Sequence, residues 1–307
     1  MSAGGSSRGR VHAELATVRD WIRYANTEFD RARLHYGHGT DESWDEALAL
    51  VRDWLRIPPD RLEHMLEARL TAGEGEALAA AIRRRIDERV PVPYLTGRAW
   101  LAGVPFVVDE RVLIPRSPIA RLLIEGLDAW VRETTPRRIL DLCAGSGCLG
   151  ILAALAFPEA EVVLADLSAE ALAVAAANVE RHDLGDRIDI VLSDGPAGLA
   201  PDAAFDLVLC NPPYVDAADL AAMPAEFRHE PGLALAGGED GLELVAVWLP
   251  ELARRMAPDG VLVLELGNSA PALVRRFPEL PLVWPELDRG GTGVVLARAG
   301  DLSAPGA

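Results

Sequence analysis

Hydrophobic residues in the first ninety positions recur at intervals of three and four, which is the spacing of one face of an α-helix. The clearest series consists of Leu15, Val18, Ile22, Ala25 and Phe29. The same spacing predicts further helices over 44–55, 62–70 and 76–89. Two prolines, Pro91 and Pro93, end the pattern because proline lacks the N–H that a helix interior requires. We therefore predict a helical domain over residues 11–97.

Short apolar runs replace this helical spacing over 98–116, where they predict a β-hairpin that links two domains. From Arg138 onward, apolar runs alternate with helical segments, which is typical of a parallel sheet. The predicted strands occupy 138–143, 161–165, 187–192, 205–210, 260–266, 282–287 and 292–297. The predicted helices between them occupy 149–157, 169–181, 242–256 and 270–277. The last two strands are adjacent, so we expect them to form an antiparallel pair.

This alternation predicts the α/β fold class, with a seven-stranded, mostly parallel, Rossmann-like sheet in a catalytic domain over 117–298. The two ends of the chain, 1–10 and 299–307, carry no such pattern and are predicted to be disordered.

Charge is distributed unevenly along the 307 residues, whose formal net charge is −17. Residues 1–98 contain 15 arginines against 16 acidic residues, whereas residues 99–307 contain 15 against 31. An acidic domain repels the phosphate backbone of nucleic acids and attracts a basic partner. We therefore expect a basic protein as partner and no stable binding to nucleic acid.

The cysteines and histidines do not form the clusters typical of metal sites, so no metal is expected. Cys143, Cys148 and Cys210 lie beside apolar residues and are predicted to be reduced, buried thiols. The longest apolar run, 149–157, is shorter than the ~20 residues that cross a bilayer. The first ten residues lack the apolar core of a secretory signal. We therefore expect a cytoplasmic protein with no membrane partner.

A glycine-rich loop follows the first strand of the alternating region. Asp141 lies at the end of that strand, and Ala144, Gly145 and Gly147 lie in the loop. Glycine lets the backbone approach a ligand, and the N-terminus of the following helix attracts a negatively charged group. The loop residues Ala144, Gly145 and Gly147 are candidates for binding a phosphate or a carboxylate of a cofactor, and Asp141 is a further cofactor-binding candidate.

Acidic residues also follow the next two strands. Asp166, next to Leu167, lies where an acid can accept hydrogen bonds from two ribose hydroxyls. Asp194 lies where an acid can meet an adenine amino group. Taken singly, Asp166 is also a plausible helix N-cap and Asp194 a plausible turn residue. Three matching loops in succession favour a nucleotide-like cofactor.

The same glycines also satisfy the dinucleotide fingerprint G-x-G-x-x-G, through Gly145, Gly147 and Gly150. Asp141 before the loop and the motif after the fourth strand favour S-adenosyl-L-methionine over a dinucleotide.

That motif is Asn211-Pro212-Pro213-Tyr214, which follows the apolar run 205–210. The Asn211 amide offers one donor group and one acceptor, which suit a side-chain amide or an adenine edge. Two prolines fix φ and make the turn stiff. We predict that Asn211 contacts the cofactor and pairs with the substrate beside it, that the Pro212 carbonyl accepts a second N–H, and that Tyr214 packs on the reacting group.

On these residues the chain resembles the class I S-adenosylmethionine-dependent methyltransferases. Three further segments narrow the resemblance to the HemK-like protein-(glutamine-N5) methyltransferases: 114–116, 230–231 and 238–242. The resemblance implies an N-terminal helical domain for substrate recognition, a β-hairpin linker and a seven-stranded catalytic domain. It also implies that Arg116, Pro213 and the rest of the 211–214 motif contact the substrate.

Within that family, Tyr36–Asp41 and Arg116–Pro118 resemble the branch that methylates a glutamine of ribosomal protein L3. The alternative substrate is the Gly-Gly-Gln glutamine of a peptide release factor. A nucleic-acid adenine N6-methyltransferase and a non-catalytic binding module are further alternatives, and the acidity of residues 99–307 disfavours the former. His38, in a glycine-flanked turn, is interpreted as a structural hydrogen-bonding residue in preference to a ligand.

Overall fold

A boundary at residue 99 divides the chain into two units. The computed structural model describes residues 14–125, 127, 135–286 and 293–302. The first unit comprises the chain up to Ala99 together with the short segment Pro224–His229, and the second comprises the remainder. The sequence placed a boundary at 97/98, two residues earlier. It did not predict that Pro224–His229 belongs with the helical unit.

The described part of the first unit contains five α-helices. They are α1 (Val18–Ala32), α2 (Ser43–Trp54), α3 (Leu62–Met65), α4 (Ala72–Asp87) and α5 (Val92–Thr96). Capping boxes start α1 and α4: the side chains of Thr17 and Thr71 accept from the third residue of each helix, and Asp20 and Glu74 accept in return. The apolar faces of these helices enclose a core that includes Trp21, Phe29, Leu50, Leu78 and Ile82.

The helix predicted over 62–70 is shorter than expected. A 3₁₀ turn, Pro59–Arg61, precedes α3, which ends at Met65. Leu66 and Glu67 form a turn, and the residues after it pair with the start of α1: Leu70 N–H donates to the Ala16 carbonyl and Val18 N–H donates to the Ala68 carbonyl. Pairing with the start of α1 therefore replaces the second half of the predicted helix.

Buried charges hold Pro224–His229 in the first unit. Arg85 is fully buried and pairs with Glu46, and its Nη1 lies 3.7 Å from Glu226 Oε1. The same carboxylate oxygen accepts from the His35 N–H at 3.0 Å and lies 3.3 Å from Arg89 Nη1. Burial alone would raise the pKa of Glu226, but these donors and charges outweigh it and hold the pKa below its usual range.

An aromatic contact accompanies this ion pair. The buried His38 ring lies 4.3 Å, centroid to centroid, from the ring of Phe227. Gly37 stands where a Cβ would lie 3.2 Å from the same ring. His38 therefore packs on Phe227 within the first unit, and its hydrogen-bonding role stays a prediction.

The second unit is built on β-strands. The strands of the chain are β1 (Arg98–Leu101), β2 (Val104–Val107), β3 (Arg138–Leu142), β4 (Glu161–Asp166), β5 (Ile188–Leu192), β6 (Phe205–Cys210), β7 (Met256–Glu265) and β8 (Val294–Arg298). The first two form a hairpin, as predicted, whose turn residues Ala102 and Gly103 both have positive φ, 52° and 79°. Positive φ at both central residues matches the twist of a tight hairpin.

The remaining strands form one sheet in the order β5-β4-β3-β6-β7-β8. Neighbours from β5 to β7 are parallel, and β8 is antiparallel to β7. Among the described residues, this sheet therefore has six strands and not the predicted seven. The expected strand over 282–287 is reduced to one antiparallel bridge between Val283 and Leu296. Pro281 and Pro285 flank that bridge and have no N–H to extend it.

Seven helices are described in the second unit. They are α6 (Ile119–Glu125), α7 (Cys148–Ala156), α8 (Ala169–Arg181), α9 (Ala217–Ala222), α10 (Glu243–Ala253), α11 (Ala270–Arg276) and α12 (Ala299–Leu302). Two predictions are corrected here. Helix α10 ends at Ala253 because the next strand already begins at Met256. Residues 299–302 form α12, with Ala299 and Leu302 buried in the core, instead of a disordered tail.

No helix in the described ranges is long and apolar enough to cross a membrane. The sequence-based predictions for residues 1–10 and 303–307 fall outside those ranges.

A fully buried asparagine joins the hairpin to the large sheet. Asn178 on α8 accepts from the Val107 N–H at 2.7 Å and donates to the carbonyls of Val107, at 3.0 Å, and Ser146, at 2.9 Å. One side chain thus satisfies three backbone groups, of which Ser146 belongs to the glycine-rich loop. Such groups are costly to bury without partners.

Replacing this asparagine should therefore destabilise the protein. We expect Asn178→Ala to lower the free energy of unfolding by about 2–4 kcal/mol, because it leaves buried backbone groups unpaired. Glu180→Ala, on the exposed side of the same helix, should change it by less than about 0.5 kcal/mol. Urea denaturation of both variants measures the difference. Equal stability of the two variants would contradict this role of Asn178.

Candidate active site

A cavity opens at the carboxyl edge of the sheet, where the loops after β3, β4, β5 and β6 meet. Nine of the twelve residues predicted to form the site line it: Arg116, Asp141, Ala144, Gly145, Asp166, Leu167, Asp194, Asn211 and Pro213. The other three, Gly147, Pro212 and Tyr214, are not among its lining residues. The carboxyl ends of neighbouring parallel strands meet at one edge, which is why residues far apart in the sequence converge here.

The glycines of the loop after β3 have different physical roles. Gly145 has φ of 54°, and a Cβ there would meet no described atom within 4 Å, so its backbone is open to a ligand. Gly147 has φ of 76° and starts α7. A Cβ on Gly150 would lie 2.1 Å from a Leu164 methyl group. Gly145 therefore leaves the cavity open, whereas Gly147 and Gly150 let α7 pack closely against β4.

Asp141 is a buried carboxylate at the end of β3. Its Oδ2 accepts from the Gly150 N–H at 2.8 Å, near the start of α7. Burial raises the pKa of Asp141 to about 7, and the nearby charge of Asp166 acts in the same direction, against the lowering effect of the Gly150 donor. The carboxyl group is therefore poised to change charge near neutral pH.

Asp166 ties two of the loops together. Its Oδ2 accepts from the Gly145 N–H at 2.8 Å and its Oδ1 accepts from the Ser168 N–H at 2.9 Å. Each oxygen keeps a second lone pair for another donor. The N-cap of α8 is Ser168, whose hydroxyl accepts from Ala171, so Asp166 is not the cap of that helix.

The rim beyond Asp166 is partly apolar. Leu167 lines the cavity with 51% of its surface exposed, and the exposed Asp194 follows the third strand of the series. Gly195, the next residue, has φ of 54°, and a Cβ there would lie 2.2 Å from the Trp248 indole nitrogen. The glycine lets Trp248, another lining residue, approach the turn that carries Asp194.

Asn211 follows β6, next to the loop after β3, because Cys210 and Leu142 are register partners. Its side chain is half-buried and lines the cavity, and its amide has no hydrogen-bond partner among the described residues. An amide in this position can pair with a planar donor and acceptor on a ligand. Asn211 and the glycine-rich loop therefore line the same cavity.

Of the rest of the motif, Pro213 lines the cavity, whereas Pro212 and Tyr214 do not. Pro212 is buried, and the Tyr214 hydroxyl donates to Glu265 Oε1 at 2.9 Å. The Ser269 hydroxyl donates to the Tyr214 carbonyl at 2.7 Å. Burial and the neighbouring Glu265 charge raise the pKa of Tyr214, so the phenol stays neutral. Packing of the Tyr214 ring on a reacting group stays a prediction.

Four polar side chains of this region were not singled out from the sequence as site residues: Ser117, Glu230, Glu265 and Ser269. Glu265 is the last residue of β7, so the rule that placed Asp141 and Asp166 at the carboxyl edge also applies to it. The sequence feature that could have identified Glu265 is an acid at the end of an apolar run. The other three lie in loops, where spacing carries no comparable signal.

Arg116 is engaged by an acidic partner. Its Nη1 and Nη2 donate to the two oxygens of Glu230 at 2.6 and 2.8 Å, and Glu230 Oε1 also accepts from the Ile114 N–H at 3.0 Å. The Glu230 side chain is fully buried, whereas that of Arg116 is 24% exposed. The bidentate pair holds Arg116 in place in the cavity wall, and substrate contact by Arg116 stays a prediction.

Cys143 and Cys148 are neutral thiols. A hydrogen bond with Cys210 and burial raise the pKa of Cys143 well above its usual range, and burial raises the pKa of Cys148 to about 12. All three are free in the structure. Within the ranges that the structure describes, no group of histidine, cysteine and acidic side chains is arranged to hold a metal ion.

Comparison with known proteins identifies a matching family model and close relatives of this chain. Residues 118–238 match the family model described as "Methyltransferase small domain". The "Ribosomal protein uL3 glutamine methyltransferase" of Bordetella pertussis is 50% identical over 272 residues, 88% of this chain and 91% of that protein. The protein of the same name from Burkholderia pseudomallei is 46% identical over 295 residues, 94% of this chain and 96% of that protein.

Among solved structures, the hMettl16 catalytic domain in complex with the MAT2A 3'UTR hairpin 6 has a TM-score of 0.50 and 18% sequence identity. The match covers 79% of this chain and 89% of that chain. This likeness is one of fold, and it agrees with the predicted α/β class.

Breaking the Arg116–Glu230 pair should be costly. We expect Arg116→Met to lower the free energy of unfolding by about 3–5 kcal/mol, because it leaves the Glu230 charge buried and unpaired. Adding Glu230→Gln should recover part of the loss, since the amide oxygen can still accept from Ile114. Denaturant titration of the single and double variants provides the comparison. A double variant that is less stable than Arg116→Met would refute this explanation.

Proposed function

The chain belongs to the family of ribosomal protein uL3 glutamine methyltransferases, and we propose that it methylates the side-chain nitrogen of a glutamine in ribosomal protein uL3. The observation that carries the proposal is the unpaired Asn211 amide in a cavity lined by three loops suited to a nucleoside-containing cofactor. Identity of 46–50% with the curated relatives extends over most of the chain and supports the same substrate.

The lining residues fit S-adenosyl-L-methionine. Gly145 leaves backbone space for the ligand, Asp141 offers a carboxylate to its positive charges, and Asp166 has free lone pairs for ribose hydroxyls. Asp194 would meet the adenine amino group, and Ala144 and Leu167 are further proposed cofactor-binding residues. When bound, the cofactor supplies a methyl group on a positively charged sulfur.

Asn211 would hold the substrate amide in place. A glutamine nitrogen is a weak nucleophile because its lone pair is delocalised into the carbonyl. The Asn211 carbonyl can accept one N–H of the substrate while its NH₂ group donates to the substrate carbonyl. The accepted bond strengthens as positive charge develops on the substrate nitrogen, so alignment and charge stabilisation come from the same side chain.

The prolines and Arg116 would complete the substrate site. Pro213 lines the cavity, and we infer that it limits the orientation of the glutamine side chain. The carbonyl of Pro212 is the proposed acceptor for the second substrate N–H. Arg116, held by Glu230, would present its exposed edge to the substrate protein.

A basic partner agrees with the charge of the chain. Residues 99–307 contain 31 acidic residues against 15 arginines, which favours a basic ribosomal protein over a nucleic acid. We propose that the helical unit contributes to recognition of this substrate and that the reaction takes place in the cytoplasm. The release factor is the second candidate, and it enters the test below as a separate arm.

Removing the Asn211 amide should abolish methyl transfer. We expect Asn211→Ala to lower kcat by at least about 100-fold, because misplacement of the reacting amide alone has effects of that order. The dissociation constant for S-adenosyl-L-methionine should change by less than about threefold, since the three cofactor loops remain. Labelled methyl transfer to purified uL3 and to a release factor, with the labelled residue mapped, measures the activity.

The matched control is Asn268→Ala, which removes an exposed amide in the same unit. It should retain wild-type transfer. Loss of cofactor binding with normal turnover at saturation would reject the role of Asn211. Labelling of the release factor and not of uL3 would change the substrate but leave the reaction as proposed.

Cofactor affinity should depend on pH through Asp141. With a pKa of about 7 the carboxyl group is ionised above neutrality and neutral below it, so binding of a cationic ligand should strengthen as pH rises through 7. We expect the dissociation constant to fall severalfold between about pH 6 and pH 8. Isothermal titration calorimetry at several pH values measures it.

The side chain in Asp141→Asn is neutral at every pH. This variant should therefore bind S-adenosyl-L-methionine more weakly than the wild type at about pH 8, and its dissociation constant should lose most of the dependence on pH. Asp194→Asn keeps Asp141 and should keep the dependence. A wild-type dissociation constant that does not change with pH would refute the role of Asp141.

A further inference from the structure

Glu265 is a buried acid that the proposed mechanism does not use. Only 6% of its surface is exposed, yet both carboxylate oxygens accept hydrogen bonds. The Tyr214 hydroxyl donates to Oε1 at 2.9 Å, and the Ser117 hydroxyl donates to Oε2. Burial raises the pKa of Glu265, while the two hydroxyl donors and the charge of Arg116 oppose that rise. An acid retained at such a position needs these partners.

Tyr214 is constrained on three sides. Its hydroxyl is held by Glu265, and its carbonyl accepts from Ser269 at 2.7 Å. Gly267 has φ of 47°, and a Cβ there would lie 2.7 Å from the Tyr214 ring. A Cβ on Gly241 would lie 2.3 Å from the Tyr214 carbonyl oxygen. The ring and the backbone of Tyr214 therefore have one well-defined position.

A stiff segment connects Tyr214 to the cavity. Two prolines with fixed φ separate Tyr214 from Asn211. Asn211 lines the cavity, whereas Tyr214 does not. Fixing the Tyr214 end of the turn therefore orients the Asn211 amide from outside the cavity.

The Glu265 carboxylate also contacts Ser117, in another part of the cavity wall. Ser117 lines the cavity beside Arg116, and its Oγ accepts from the Ile119 N–H at 3.2 Å while donating to Glu265. Glu265 therefore links the Asn211–Tyr214 turn to the segment that carries Arg116. Hydrogen bonds to a charged acceptor are about twice as strong as neutral ones, which suits an acid for this task.

We propose that Glu265 is a positioning residue which, through the Tyr214 hydroxyl, sets the orientation of the Asn211 amide for methyl transfer. The inference rests on the proposed function. It assigns Tyr214 to the support of the turn and makes the carboxyl end of β7 a working part of the site.

The test is Glu265→Gln, which keeps the size of the side chain and an acceptor oxygen but removes the charge. We expect kcat to fall about 10- to 100-fold. The KM for uL3 and the dissociation constant for S-adenosyl-L-methionine should stay within about twofold, because neither ligand touches Glu265. Glu279→Gln, an exposed acid of the same unit, is the matched control and should retain wild-type kcat.

A double-variant cycle identifies the route. If Glu265 acts through the Tyr214 hydroxyl, adding Glu265→Gln to Tyr214→Phe lowers kcat no further than the worse single variant does. The proposal would be overturned if the double variant lost kcat by the product of the two single losses, or if cofactor affinity changed greatly. A kcat of Glu265→Gln equal to that of the active wild-type enzyme would also overturn it.

A readout independent of turnover is the NMR signal of the Asn211 side-chain amide, assigned with Asn211→Ala. It should shift in Glu265→Gln and in Tyr214→Phe in the same direction and should stay in place in Glu279→Gln. An unmoved Asn211 signal in the first two variants contradicts the positioning role. If the wild-type protein labels no glutamine, the proposed function fails, and the NMR comparison still decides the role of Glu265.

Discussion

The parallel register of β3 and β6 is the constraint on which the site depends. Leu142 and Cys210 are partners at the ends of these strands, so the glycine-rich loop and Asn211 leave the sheet side by side. The strand order places β4 on the other side of β3, which brings Asp166 to the same loop. A shift of one residue in this register would turn the strand side chains to the opposite face and separate Asn211 from the loop.

Close backbone packing behind the cavity supports this arrangement. Gly237, Gly241 and Gly267 all stand where a Cβ would collide with Tyr214. The chain therefore uses glycine on two sides of the site for different purposes: Gly145 gives a ligand access, while the three behind Tyr214 let the protein pack on itself. Rigid packing behind the turn leaves the Asn211 amide free to pair, since no described side chain competes for it.

Local pattern and general rules of sheet topology account for what could be predicted. Periodicity placed the helices of the first unit, and the carboxyl-edge rule brought Asp141, Asp166, Asp194 and Asn211 to one cavity. Contacts between distant segments, such as Ser117 with Glu265, have no local signature. The strand expected over 282–287 illustrates the opposite error, because apolar residues suggested pairing that two prolines prevent.

The membership of Pro224–His229 in the first unit has a consequence for how the protein is made. Glu226 shields the buried Arg85, and Phe227 covers His38, so the helical unit lacks part of its interior until these residues exist. During synthesis the N-terminal helices must wait for most of the downstream chain before they reach their final packing, contrary to the usual order in which N-terminal domains fold first. A gene fragment that ends at residue 99 would encode Arg85 and its partner Glu46 but not Glu226, the second acid beside the buried arginine.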